Sequence, residues 1–166
     1  MAKGKRYSVK FRRRREGKTN YKKRLAFVKS DLPRLVVRRS NKYFNLQIID
    51  NKSNGDVTLA HFNSKNLAKL GWKHSSKNTT AAYLSGYKLA EIALKNKVKE
   101  AIFDMGSYTP TKGCTIYGAL SGALEAGLKI SHSKEVLPSK DRIEGKHISD
   151  KLSADLNKLI GGKSNE

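Results

Sequence analysis

Strand-like and helical patterns of apolar residues occupy different parts of this chain and meet near residue 63. Three segments before that point have the period of half-buried or buried strands: residues 35–37, 44–49 and 57–62. Asn54-Gly55, between the last two, is a strong hairpin signal. The pattern therefore predicts three consecutive antiparallel strands.

The period becomes helical after residue 63. Four segments predict helices there: residues 64–70, residues 79–95, a segment between Gly113 and Gly127 with Ile116 and Leu124 on its apolar face, and a long last helix over about 141–160. The short apolar run Ala101–Phe103 resembles a central parallel strand, and Leu128–Ile130 predicts a short fifth strand. Polar positions of the helix over 79–95, including Ser85, predict a narrow outer stripe. Strands followed by alternating helices and strands imply an α/β fold, with helices packed on a mixed sheet of about five strands.

Charge is concentrated at one end of the chain. Residues 1–42 hold 17 lysines and arginines against two acids, a net +15 of the chain's +21, and nine of its ten arginines. Arginine grips phosphate with two parallel hydrogen bonds, so this segregation indicates a phosphate-rich polymer as the partner. A localisation tag or a solvated tail is the alternative interpretation of such a basic run.

The basic segment also has too few apolar residues to fold by burial alone. We expect residues 1–30 to be a basic RNA-binding extension, unstructured alone in its first 20 residues and ordered on a polyanion, with a short helix over 19–28. Residues 31–160 should form one globular domain and residues 161–166 a flexible tail. Tyr7, Phe11 and Tyr21 are interleaved with the cations. Each ring can stack on a base, worth about 1–3 kcal/mol.

Other partner classes find less support in the sequence. No apolar stretch approaches the roughly 18 residues that span a bilayer, so a membrane is a weaker partner than nucleic acid. A single cysteine, Cys114, excludes an intramolecular disulfide and fits a reducing cytoplasm.

The loop over 104–113 follows a buried strand and precedes a helix, but its glycine spacing is not that of a P-loop. It could meet a nucleic acid phosphate, or it could be a rigid turn.

Enzymatic chemistry is thinly represented. The four histidines show no metal-ligand spacing, and the conceivable carboxylate cluster consists of Asp50, Asp56, Asp104 and Asp141. A metal-dependent nuclease would need those carboxylates together and should lose cleavage in Asp104→Asn. A sequence-independent DNA compactor is a third hypothesis, which would bind duplex DNA as tightly as RNA.

Three stretches of the chain match one known family. Residues 12–21 with Arg24, residues 33–42, and the loop and helices over 110–148 resemble the archaeal form of ribosomal protein L-eighteen. Ser131 stands where that family often has proline. The resemblance implies a three-layer α/β/α domain similar to ribonuclease H, without catalytic activity or cofactor. It also implies that the domain grips 5S rRNA while the extension reaches 23S rRNA, in the central protuberance of the large subunit beside other ribosomal proteins.

Charge and resemblance together predict the RNA-binding residues. Arg34 and Arg38 share one strand face beside Gln47, which offers a phosphate-docking surface or, equally, an ordinary solvated face. The complete predicted set comprises the extension, the first strands with their turn, and the loop: Arg12, Arg13, Arg14, Arg15, Lys18, Tyr21, Arg24, Arg34, Arg38, Ser40, Asn41, Lys42, Gln47, Thr111 and Lys112.

Overall fold

The fold is a mixed five-stranded sheet with helices on both faces. The computed structural model describes residues 4, 5 and 7–161. The strands are β1 Arg34–Arg39, β2 Phe44–Lys52, β3 Gly55–Asn63, β4 Glu100–Asp104 and β5 Lys129–Ile130. Their order in the sheet is β3-β2-β1-β4-β5. The first three are antiparallel neighbours, and β4 and β5 continue the sheet in parallel with β1. The predicted strands and α/β class are confirmed.

Asparagine side chains cap the first turns of two of the helices. The α-helices are α1 Arg12–Arg15, α2 Tyr21–Lys29, α3 Thr79–Lys95, α4 Thr115–Glu125, α5 Lys140–Glu144 and α6 Asp150–Gly161, and two 3-10 helices span Ser64–Leu70 and Lys134–Val136. The Oδ1 of Asn20 accepts the Lys23 N–H at the start of α2, and Asn78 does the same for Ala81 in α3. Each amide thus satisfies a backbone donor that the first turn leaves unpaired.

The core lies on one side of the sheet, beneath α3 and α4. Leu35 and Val37 of β1 and their cross-strand neighbours Leu46 and Ile48 of β2 are fully buried there. The opposite side of β1 carries Arg34, whose guanidinium lies 6.0 Å from the ring of Phe27 in α2. Helix α2 therefore forms the third layer, and the three-layer α/β/α architecture is confirmed. The extension predicted over residues 1–30 thus includes a helix docked on the sheet.

Helices α3 and α4 pack backbone against backbone. A Cβ added to Gly86 would lie 2.0 Å from the carbonyl oxygen of Ala119, and one added to Gly122 would lie 2.0 Å from that of Tyr83. The predicted outer stripe of α3 is wrong at Ser85, which is fully buried. Its hydroxyl donates to the Ala81 carbonyl, so the helix satisfies this polar group internally.

The predicted single helix over 141–160 is wrong, because the chain breaks between α5 and α6. Gly145 ends α5 with φ +72°, a left-handed conformation that favours glycine. The glycine is buried, and a Cβ there would lie 2.3 Å from the Leu152 Cδ2 atom.

Of the predicted tail over 161–166, only Gly161 belongs to the described residues. No helix in the described part of the chain combines the length and apolarity that crossing a membrane requires.

Candidate nucleic-acid interface

The arginine run predicted from the sequence forms a short exposed helix. None of the residues of α1 is buried. Gly17 adopts φ +67° just beyond it and reverses the chain toward α2. The Nε of Arg13 donates to the Thr19 hydroxyl at 2.8 Å across this turn. This bond ties one guanidinium back toward the domain.

Arg34 is buried, with 7% of its surface exposed. Its Nη1 lies 3.1 Å from Asp104 Oδ2 and its Nη2 lies 2.9 Å from Asp56 Oδ2. The other oxygen of Asp56 accepts from Arg24 of α2 at 2.9 Å. Arg34 therefore lies between the sheet and α2. Its partner Asp56 also binds Arg24 and so connects α2 to the sheet.

Arg38 shares the Asp104 carboxylate but keeps 42% of its side chain exposed. Its Nη2 lies 3.2 Å from Asp104 Oδ1, and its Nη1 donates to the Asp104 carbonyl at 2.9 Å. A Cβ on Gly106 would lie 2.8 Å from the Arg38 guanidinium carbon, and Gly106 has φ +72°. The loop after β4 thus needs glycine where it passes this arginine.

We call the space between the extension and the end of β4 the cationic cleft. It has a volume of about 150 Å³. Its lining comprises six cations, the buried carboxylate of Asp104, one aromatic ring and several small or polar residues: Arg13, Lys18, Lys23, Arg24, Arg34, Arg38, Asp104, Phe27, Thr19, Asn20, Gly106 and Ser107. Asp104 pairs with Arg34 and Arg38, and six cations against this one carboxylate give the lining an excess of positive charge. Such a site suits a phosphate, which charge-assisted hydrogen bonds hold well.

The turn between β1 and β2 places the other predicted strand residues. The Ser40 hydroxyl donates to the Tyr43 carbonyl at 2.8 Å and accepts the Tyr43 N–H at 3.0 Å, so it closes the turn. Asn41 and Lys42 are exposed at the tip, and Gln47 is half-buried beside Val36 on the face that carries Arg38. This face remains partly open to solvent.

The loop residues Thr111 and Lys112 are exposed but do not line the cationic cleft. The Nζ of Lys112 lies 2.7 Å from a Glu135 carboxylate oxygen, and both side chains are more than 70% exposed. Exposed pairs of this kind contribute about 0–1 kcal/mol. The start of the same loop, at Gly106 and Ser107, is the part that reaches the cleft.

Comparison with known proteins decides the family. The family described as "Ribosomal large subunit proteins 60S L5, and 50S L18" matches residues 5–102. The chain belongs to the uL18 family of large-subunit ribosomal proteins. It is 54% identical over 149 residues to the large ribosomal subunit protein uL18 of Korarchaeum cryptofilum, covering 90% of this chain and 76% of that protein. The uL18 proteins of Aeropyrum pernix and Methanosphaera stadtmanae are each 47% identical, covering 90% of this chain and 70% and 77% of theirs.

Family membership makes this chain a structural constituent of the large ribosomal subunit, so ribosomal RNA is the nucleic acid that its arginine-rich surface meets.

Two of the carboxylates considered for a nuclease, Asp56 and Asp104, pair with an arginine instead. The guanidinium of Arg34 lies between Asp56 and Asp104, where a divalent cation would have to bind. Among the described residues, no three His, Cys, Asp or Glu side chains form a group that could hold a metal.

Sequence reasoning missed several residues of the cationic cleft. Lys23, Asn20, Gly106 and Ser107 line the cleft, although none of them belongs to the predicted set of RNA-binding residues. A usable signal existed for the last two, because loops that follow the carboxyl end of a buried strand commonly line binding sites. No signal in the sequence related Lys23 to that loop, since more than 80 residues separate them.

Proposed function

We propose that this uL18-family protein binds 5S rRNA and attaches it to 23S rRNA in the central protuberance of the large subunit. The domain grips 5S rRNA, and the basic extension reaches 23S rRNA and the neighbouring ribosomal proteins. The role is structural and noncatalytic, and it is carried out on cytoplasmic ribosomes. One observation supports this most directly: cations from the extension and from the sheet converge on a single cleft.

The ion pairs of Asp56 and Asp104 explain how that surface is ordered before RNA binds. Arg24 and Arg34 share Asp56, so α2 is fixed against β1 and β3. Arg38 is fixed by Asp104, with its outer side toward the cleft. Ordering these side chains in advance lowers the entropy that binding must offset. Irregular RNA suits such a surface better than a regular duplex, because A-form helices hide their base edges in a narrow major groove.

Replacing Arg13, Arg14 and Arg15 together by alanine should weaken binding to 5S rRNA, to 23S rRNA, or to both. Each lost phosphate contact should lower the magnitude of the slope of log affinity against log salt by about 0.7–0.9. Filter binding over a salt series, with purified 5S rRNA and a 23S rRNA fragment measured separately, checks this. Circular dichroism should report an unchanged fold, since α1 buries no residue.

A matched control removes the same charge elsewhere. Lys65, Lys69 and Lys73 are exposed and lie on or just after the 3-10 helix that follows β3. Their replacement by alanine lowers the net charge equally and should leave the slope nearly unchanged. Equal losses in both triple variants would show that only net charge matters. Unchanged affinity and slope of the arginine variant for both RNAs would reject the proposed role.

A further inference from the structure

A second cleft lies beside the cationic cleft, between α2 and α4 beyond the carboxyl end of β4. We call it the apolar cleft. Its volume is about 490 Å³. Its walls are mainly apolar and aromatic: Phe27, Phe103, Met105, Tyr117, Leu120 and Val136. An apolar cavity of about 150 Å³ accommodates benzene, so this cleft has room for a larger fused-ring group.

The aromatic walls of the apolar cleft suit a flat ring. The rings of Phe103 and Tyr117 lie 5.7 Å apart at 30°, so part of the wall is an aromatic stack. Burial raises the pKa of the Tyr117 phenol, with Cys114 adding to the shift. A phenol is already uncharged at neutral pH, with an ordinary pKa of about 10, and this shift acts in the same direction, so the ring does not repel an anionic ligand.

The rim supplies hydrogen-bonding groups that a ligand can use. The Nδ1 of His132 donates to the Ile130 carbonyl at 2.8 Å, which leaves the other ring nitrogen, Nε2, for a ligand. Ser131 and Ser133, which carry hydroxyl groups, line the same rim. Neither of these two hydroxyls is hydrogen-bonded to another residue in the described part of the chain. Together they offer donors and acceptors at the edge of an apolar slot, as ligand sites for planar heterocycles do.

The two clefts are adjacent and share part of their walls. Lys23, Phe27, Asp104 and Gly106 line both of them. A ligand that carries a phosphate and a flat heterocycle a few bonds apart would match this juxtaposition of cations and aromatic walls. A ribonucleotide of single-stranded RNA has that form, and proteins commonly hold splayed bases by stacking and by hydrogen bonds to their edges.

We infer that the apolar cleft receives one unstacked base of the bound RNA, whose own phosphate lies in the cationic cleft. This inference rests on the proposed function and adds a base-binding site to it. Phe27 and Tyr117 flank the base, and the Ser131–Ser133 rim contacts its edge. Phosphate contacts position a protein on RNA without reading its sequence, and a single base held in this way would add sequence readout.

A titration with small probes tests the site without any variant. We expect adenosine 5′-monophosphate to shift the NMR resonances of Tyr117 and His132 as well as those around Arg38. Ribose 5-phosphate should shift only the resonances around Arg38. Identical shifts from the two probes, or no response at Tyr117 and His132, would overturn the inference.

A cleft-filling variant tests the site on the full RNA. Ser131→Trp puts an indole at the exposed rim and removes no positive charge. Affinity for rRNA should fall about 5- to 100-fold, as expected for the loss of one stacked base, with an unchanged salt slope. Ser53→Trp, in the exposed hairpin turn, is the matched control and should bind as the wild type does. Thermal unfolding of both variants checks that they are folded.

The outcomes separate this inference from the proposed function. If wild-type protein binds 5S rRNA and Ser131→Trp binds it equally well, the base site is wrong and the proposed function stands. If Ser131→Trp binds RNA normally but fails to enter subunits assembled with the other ribosomal proteins, the occupant is a protein side chain and the inference is overturned. If wild-type protein binds neither rRNA, the proposed function itself fails.

Discussion

Replacing Asp104 by alanine is expected to lower the free energy of unfolding by about 3 kcal/mol, near the lower end of the range for breaking a buried ion pair. Asp104 is 6% exposed and is shared by Arg34 and Arg38. Without it, the buried Arg34 guanidinium retains only Asp56, so part of its charge is left unpaired in a poorly solvated place. Urea unfolding at neutral pH, followed by circular dichroism, measures the loss.

Two comparisons show that the buried charge is the cause. Asp141→Ala removes a carboxylate from the exposed pair with Lys146 and should change stability by less than about 1 kcal/mol. The double variant Asp104→Leu with Arg34→Met should recover much of the stability, because a packed apolar pair can replace a buried ion pair. Equal stability of Asp104→Ala and Asp141→Ala would show that the network contributes little.

Those ion pairs also show why the site was predicted less completely than the fold. The alternating strands and the helix over 79–95 depend on neighbours along the chain, so their period was visible in the sequence. Arg34 pairs with Asp104, which lies 70 positions away, and Arg24 pairs with Asp56, 32 positions away. Alternation placed Arg34 correctly on the face opposite the core, but it could not show that two carboxylates and α2 would enclose it.

The break between α5 and α6 has a similar origin. The apolar residues of the segment over 141–160 continue with a helical period, which favoured one long helix. Gly145 stops it because the backbone turns there against α3 and α6, with Thr80 and Leu152 where a side chain would be. A buried glycine in a tertiary contact and a glycine in a helix interior are identical in the sequence, and only the packing distinguishes them.

Gly122→Ala should destabilise the fold by at least about 2 kcal/mol, although alanine is the better helix former by about 1 kcal/mol. The added Cβ would lie 2.0 Å from the Tyr83 carbonyl oxygen and 2.9 Å from the Tyr87 nitrogen. Both are backbone atoms of α3, so no side chain can rotate away and the two helices must separate. Urea unfolding of this variant beside Ser121→Ala, one position away on α4, measures the effect.

Gly86, the glycine of α3 at the same helix contact, provides a second test of the close packing. Gly86→Ala brings a Cβ to 2.0 Å from the Ala119 carbonyl oxygen and should cost a similar amount. Because either methyl group already forces α3 and α4 apart, the double variant should lose less than the sum of the two single losses. Stabilisation by Gly122→Ala, following helix propensity alone, would contradict the backbone contact. Since this contact also positions Tyr117 on α4, its loss would disturb one wall of the apolar cleft as well.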